Sequence, residues 1–182
     1  MSAFHGKITE ITRSRGEHMF PAEDWRYEVD NGDTTAGLGD WRDSQIEQYA
    51  DDVEYRIVRL IHLAPRAFGT DGDQDAFNKA VVDFFDASRL DDCESEAARR
   101  ALSFLGEDDP EARYGARDAV YPEDLVNDIE RLCHLGMVAY EGRAEEQTIR
   151  EHIVAMAERH GIEGDDVALS RRFLGHEDGP EV

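Results

Sequence analysis

The sequence predicts a mainly α-helical protein, in which tandem-duplicated three-helix units pack as a helical bundle behind a short N-terminal β-like arm or hairpin. Three observations support this fold class. Apolar residues recur with helical spacing from Trp41 almost to the end of the chain. Two stretches of that region, RLIHLAPRAF at 59–68 and RLCHLGMVAY at 131–140, share one pattern of polar and apolar residues. The first 40 residues instead alternate over short stretches, which is typical of strands.

Residues 1–40 are predicted to form the arm. Polar and apolar residues alternate at 7–12 and again at 25–29, which favours two short strands and a hairpin. Asn-Gly-Asp at 31–33 is a turn signal. Two tryptophans, Trp25 and Trp41, are available to anchor the arm, and we count both as candidate partner-binding residues.

An internal repeat relates the two halves of the helical region. A shift of 72 positions places Tyr49 on Tyr121 and matches the following residues without gaps. The pairs keep residue identity or apolar character: Asp52 with Asp124, Val53 with Leu125, Ile57 with Ile129, Arg59 with Arg131, Leu60 with Leu132, His62 with His134 and Leu63 with Leu135. Similar ends, FLGEDDPE from position 104 and FLGHEDGPE from position 173, follow after a slip of three residues. We therefore predict a tandem duplication.

Each copy is predicted to contain three helices. The first repeat spans 41–111, a linker spans 112–120, and the second repeat spans 121–182. The predicted helices are, in chain order, 51–68, 73–88 and 94–105 in the first copy and 122–140, 144–160 and 165–174 in the second. A three-helix unit of this size buries little apolar surface alone, so we expect the copies to pack on each other about a pseudo-twofold axis.

The repeated first helix carries an apolar face and a polar pair on the opposite face. Core packing explains the apolar residues. It does not explain Arg59 and His62, which lie three residues apart on the other face, or their counterparts Arg131 and His134. The four side chains either meet across the axis or pair with carboxylates such as Asp52 and Asp124, form a symmetric site for a partner or an anion, or persist after duplication without a role.

The net charge of −22 restricts the environment of the protein. Only Lys7 and Lys79 are lysines, so nearly all of the cationic residues are arginines. This composition favours a halophilic source, since molar salt screens repulsion between carboxylates. A GC-rich genome would explain the arginines alone, and mimicry of DNA is a third interpretation. The charge makes nucleic acid an unlikely partner and disfavours anionic membranes. No segment reaches membrane-span or signal-peptide length, so we expect a cytoplasmic or virion-associated protein.

No sequence motif identifies catalytic chemistry or a cofactor. The nucleophile elbow, the phosphate-binding loop and the dinucleotide fingerprint are all missing from the sequence. Residues 71–75 resemble the start of a calcium loop but lack its glycine and its bidentate glutamate, so we interpret them as a helix start. A carboxylate and histidine set invites comparison with a metal site, but its spacing is wrong and we assign it to solvated helix faces: Glu130, His134, Glu151, His152, Glu158 and His160.

These observations favour a non-enzymatic acidic binding or assembly protein. The class includes an adaptor subunit of a larger complex or virion and an inhibitor or immunity-type protein, with a protein partner or a homo-oligomer as the expected association. Arg59, His62, Arg131 and His134 are the candidate binding residues. The alternatives are a DNA mimic and a DNA-linked regulator of winged-helix type, whose wing would be VAYEGR at 138–143.

Overall fold

The computed structural model describes residues 2–66, 71–88, 96–106 and 122–176. These residues form a mainly helical structure without strands. The described helices are α1 (Ala3–Ser14), α2 (Gly16–Met19), α3 (Ala22–Asn31), α4 (Leu38–Leu63), α5 (Asp71–Ser88), α6 (Glu96–Leu105), α7 (Glu123–Tyr140), α8 (Glu146–His160) and α9 (Asp165–Phe173). A 3₁₀ turn, Ala64–Arg66, continues α4.

The predicted strand at 7–12 is wrong, because these residues lie in α1. Phe4, Ile8 and Thr12 are fully buried and stand four residues apart, which is the spacing of one helix face. The Ser2 side chain accepts a hydrogen bond from the backbone N–H of His5 and caps the helix. A window of six residues was too short to separate the strand period from the helix period.

The predicted strand at 25–29 is also wrong, and the arm is helical here as well. These residues lie in α3, which ends at Gly32 with a left-handed φ of 78°. No residue of α3 is buried. Two hydrogen bonds hold α3 in place: the Trp25 indole N–H donates to Ala36 O at 2.9 Å, and the Trp41 indole N–H donates to Glu28 Oε2 at 2.8 Å.

The helices of the predicted repeats lie close to their expected positions. Helices α5 to α9 begin and end within two residues of the predicted bounds. Helix α4 differs, since it begins at Leu38, well before the predicted start at residue 51. Trp41, Ile46 and Ala50 are buried along this extension, against which the N-terminal helices α1 and α3 pack. The predicted linker at 112–120 lies outside the described residues.

One hydrophobic core joins the N-terminal helix to both sets of three helices. Helix α5 packs on α4 and α6, and α8 packs on α7 and α9. Between the sets, α7 contacts α4, α5 and α6, while α9 contacts α4. The 3₁₀ turn contacts both α7 and α8. At the junction the ring of Phe77 lies against Gly136, in the space that a Cβ would occupy.

Across the described part of the chain, none of the helices combines the length and apolar character needed to cross a membrane.

Candidate functional site

Arg59 and His62 line a pocket between α4, α5 and the start of α9. The pocket has a volume of about 320 Å³. Its lining combines apolar walls with a polar end: Tyr55, Val58, Arg59, His62, Leu63, Ala76 and Asp166. Tyr55 is 65% exposed, so its ring forms an accessible wall of the opening. Two of the four repeated polar residues therefore share one concave site.

Both residues are paired with carboxylates inside the protein. Arg59 Nη1 lies 3.2 Å from Asp83 Oδ2 on α5. His62 Nδ1 lies 3.0 Å from Asp166 Oδ2 on α9, and Arg66 Nη1 lies 3.4 Å from the other oxygen of Asp166. Arg59 and His62 thus pair with carboxylates, but these are Asp83 and Asp166 and not Asp52.

The counterparts Arg131 and His134 are exposed on α7. Neither makes a hydrogen bond or an ion pair with another described residue, and no such contact joins them to Arg59 or His62. In the predicted repeat alignment, the matching positions carry no carboxylate. Alanines, Ala155 and Ala97, stand where the first copy has Asp83 and the second has Asp166.

The two candidate tryptophans lie at the junction of α3 and α4. Trp41 is buried, and its ring packs edge-on against Phe20 at a centroid distance of 6.4 Å. Trp25 is half-buried. Their indole N–H groups are used by Glu28 and Ala36, so both side chains anchor the N-terminal helices and offer little free surface.

A second polar cluster, centred on Asp128, lies between α7 and α8. Asp128 is 8% exposed, and its carboxylate accepts hydrogen bonds from Arg159 Nη1 at 2.6 and 2.8 Å. His160 Nε2 lies 2.8 Å from Asp128 Oδ2, and His152 Nε2 lies 2.7 Å from the backbone oxygen of Asp128. We call these four residues the Asp128 cluster.

The Asp128 cluster corrects the assignment of His152 and His160 to a solvated face, because both are buried. His134, Glu151 and Glu158 do lie at exposed positions. Sequence reasoning missed the cluster although a signal was present: His160 stands four residues after the buried Met156, and eleven after the buried Ile149. Both spacings place it on the core face of α8.

Burial acts on one ionisable member of the cluster, His152. Desolvation lowers the pKa of His152 below its ordinary value of 6.5, against the opposing influence of Asp128. His160 Nδ1 is buried without a hydrogen-bond partner. With a proton on Nε2, the ring donates to Asp128 and places no unpaired N–H at the buried Nδ1.

The remaining motifs take structural positions. Glu130 Oε1 accepts a hydrogen bond from Ala97 N at 3.0 Å, which satisfies a free N–H in the first turn of α6. Residues 71–75 lie within α5, in agreement with a helix start. In the described part of the chain, no three His, Cys, Asp or Glu side chains converge on a metal position. Residues 138–140 complete α7, and α8 begins at Glu146, so the segment 138–143 does not form a β wing.

Comparison with protein-family models, curated proteins and solved structures finds no match.

Proposed function

We propose that the chain is a non-enzymatic, acidic binding or assembly protein that holds a segment of a protein partner in the pocket between α4, α5 and α9. The observation that carries the proposal is the pocket itself, where Arg59 and His62 form the polar end of an apolar concave surface. Arg59 and His62 belong to the repeated polar face that core packing does not explain.

The dimensions of the pocket suit one side chain with its flanking backbone. Its volume, about 320 Å³, is at the small end of the range for ligand sites, roughly 300–1,000 Å³. Tyr55, Val58 and Leu63 offer aromatic and aliphatic contact area on a rigid helix. A binding interface of this kind takes a buried apolar anchor in the pocket and polar contacts at its rim.

The charge of the protein indicates the chemistry of the partner. A net charge of −22 attracts a basic surface over long range at low salt. Asp166 lines the pocket, and Asp83 pairs with the lining residue Arg59; both carboxylates are partly exposed. We infer a partner segment with an apolar side chain beside Lys or Arg. In molar salt the attraction is screened, and the apolar anchor supplies most of the affinity.

We also infer that the protein arose by tandem duplication. The helix contacts support this, because three contacts of the first set of helices have counterparts in the second. Packing of α4 on α5 corresponds to α7 on α8, α5 on α6 corresponds to α8 on α9, and α6 on α7 corresponds to α9 on α4. The exposed Phe104 and Phe173 end α6 and α9 at equivalent positions. Duplication explains why a residue pair used in one copy persists unpaired in the other.

The proposal is tested by isolating the tagged chain with its associated proteins from cells of the native source, in buffer of native ionic strength. Ala76→Trp fills the pocket, and Tyr55→Ala removes its exposed wall without adding bulk. Gln48→Trp, on the exposed surface of α4, is the matched control for an added indole. Circular dichroism establishes that each variant is folded.

We expect one protein to co-purify in stoichiometric amount with the wild type and the Gln48 variant, and to be lost from both pocket variants. The purified partner should then bind the wild type directly, with a basic and apolar segment at the contact. Equal retention by all variants would exclude the pocket as the binding site. A partner that duplex DNA displaces from the acidic surface would favour the DNA-mimic interpretation instead.

A further inference from the structure

Helix α9 presents a continuous stripe of exposed residues on the side that faces away from the bundle. Asp165, Leu169, Arg172 and Phe173 are exposed and follow each other at helical spacing. Leu169 is 43% and Phe173 is 53% exposed. The opposite face packs inward through the buried Val167. The core therefore leaves an apolar pair at the centre and end of a solvent-facing helix.

The charges along this stripe are opposite at its two ends. Asp165 lies in the first turn and Arg172 in the last turn of α9. Neither makes an ion pair with another described residue. Consider a second copy related by a twofold axis that passes through Leu169 perpendicular to the helix. The acidic end of α9 in one copy then faces the basic end of α9 in the other. The stripe is thus self-complementary, which is the requirement for an isologous twofold contact.

We propose that α9 pairs antiparallel with α9 of a second copy of this chain, about a twofold axis at Leu169. In this arrangement Leu169 lies against Leu169 of the second copy, and Phe173 lies one helical turn away, beside Leu169 and Asp165 of the second copy. Asp165 lies beside Arg172 of the second copy. The apolar pair provides the affinity. The two Asp–Arg pairs fix the antiparallel orientation, since a parallel arrangement would oppose like charges.

Two further contacts prepare the surface for this role. The Arg150 guanidinium lies 4.8 Å from the centre of the Phe173 ring and restrains the ring in its exposed position. On its other side Arg150 pairs with Glu146 at 2.7 Å. A ring held in place loses less conformational entropy on association than a free one.

The net charge predicts how salt affects this association. Each copy carries −22, so two copies repel each other strongly at low ionic strength. The Debye length falls to about 3 Å at 1 M salt, which removes this repulsion while the direct contacts persist. Salt should therefore promote the dimer.

Helix α6 supplies an internal control. Its Phe104, equivalent to Phe173, is 49% exposed. However, Arg100 takes the position of Leu169 and is paired with Glu141, and Ser103 takes the position of Arg172. The face of α6 therefore lacks both the central apolar residue and the terminal cation, and it is not self-complementary.

The test is sedimentation equilibrium of the full chain in molar KCl, with far-UV circular dichroism of every variant. We expect a dimer for the wild type and for Phe104→Glu, and a monomer for Leu169→Glu. Asp165→Arg or Arg172→Asp alone should raise the dimer Kd by roughly tenfold or more. The double variant Asp165→Arg/Arg172→Asp should restore the wild-type Kd, because it exchanges the two charges across the axis.

A monomeric wild type in molar KCl would overturn the proposal. A dimer that survives Leu169→Glu would place the contact elsewhere, and failure of the charge exchange to restore a dimer weakened by the single variants would exclude the antiparallel arrangement. Because the charge exchange keeps the residue types and net charge of the chain, it remains decisive if Leu169→Glu disturbs folding. The two tests are separable, because the pocket variants change Tyr55 on α4 and Ala76 on α5, whereas the dimer variants change the exposed stripe of α9.

Discussion

Arg59 Nη1 lies 3.2 Å from Asp83 Oδ2 and links α4 to α5, the first two helices of the first predicted repeat. The equivalent Arg131 lies opposite α8, where the residue aligned with Asp83 is Ala155. Burial lowers the pKa of His152, three residues before Ala155, and the charge of Arg131 acts in the same direction. If α7 packs on α8 as α4 packs on α5, Ala155→Asp should form an ion pair with Arg131 like the pair of Asp83 with Arg59.

Double-mutant cycles measure this equivalence directly. We expect a coupling free energy of about 0.2–1 kcal/mol for Arg59 with Asp83, as is usual for exposed pairs, and a similar value for Arg131 with the carboxylate that Ala155→Asp introduces. The coupling, and not the net stability, is the quantity to compare, because Asp costs about 0.5 kcal/mol relative to Ala inside a helix. Chemical denaturation of the Arg→Gln, Asp→Ala and Ala155→Asp combinations gives both values. Coupling in the first copy without coupling in the second would contradict the proposed duplication.

Gly136 should be intolerant of substitution, since a Cβ at this position would overlap the ring of Phe77. Phe77 is fully buried and its ring has little room to move. Gly136→Ala should therefore lower the free energy of unfolding by about 1–3 kcal/mol, although alanine favours helix over glycine. Urea denaturation provides the measurement.

Gly6→Ala is the matched control, because Gly6 lies inside α1 and a Cβ added there would have no neighbouring atom within 4 Å. That change should stabilise the protein by up to about 1 kcal/mol. Adding Phe77→Leu to Gly136→Ala should recover part of the loss by shortening the opposing side chain. If Gly136→Ala left the free energy of unfolding unchanged, the two helix sets would be packed less tightly than the structure indicates.

The sequence predicted helices α5 to α9 better than the N-terminal region for a physical reason. Helices α5 to α9 carry periodic apolar faces over nine or more residues, which distinguishes helix from strand. The stretches at 7–12 and 25–29 are shorter than two helical turns, and both periods fit them. Helix α3 has no buried residue, so its sequence carries no core face from which to determine its period.

The site was predictable in part, because repetition identified Arg59 and His62 without any structure. Their actual partners were not predictable. Asp83 lies 24 residues from Arg59 along the chain, and Asp166 lies 104 residues from His62. Which carboxylate among many in an acidic chain meets a given cation depends on how the helices cross. The same applies to the Asp128 cluster, which requires α7 and α8 to be in register.

Asp128 should be among the carboxylates whose loss most affects stability. Its removal leaves the buried His160 without an acceptor for Nε2, and it leaves Arg159 without its two short hydrogen bonds. Arg159 is about half exposed and regains water, which moderates the effect. We expect Asp128→Ala to lower the free energy of unfolding by about 2–4 kcal/mol, measured by urea denaturation.

As a control, the change Asn127→Ala at the exposed neighbouring position should alter the free energy of unfolding by no more than about 0.5 kcal/mol. Equal effects of the two changes would show that the cluster does not stabilise the fold.

His152 should make the protein less stable in mild acid. Burial lowers its pKa in the folded state below 6.5, so between the folded and the ordinary value the unfolded chain binds more protons than the folded one. The contribution to stability is complete above about pH 6.5 and is lost as the pH falls through the lower folded pKa. The free energy of unfolding of the wild type should therefore decline more steeply from about pH 6.5 to 5 than that of His152→Gln.

Glutamine can still donate to the Asp128 backbone oxygen but does not titrate, and all other ionisable groups are common to both proteins. Urea denaturation of both proteins across this range isolates the contribution, and parallel curves would show that the proton is taken up elsewhere.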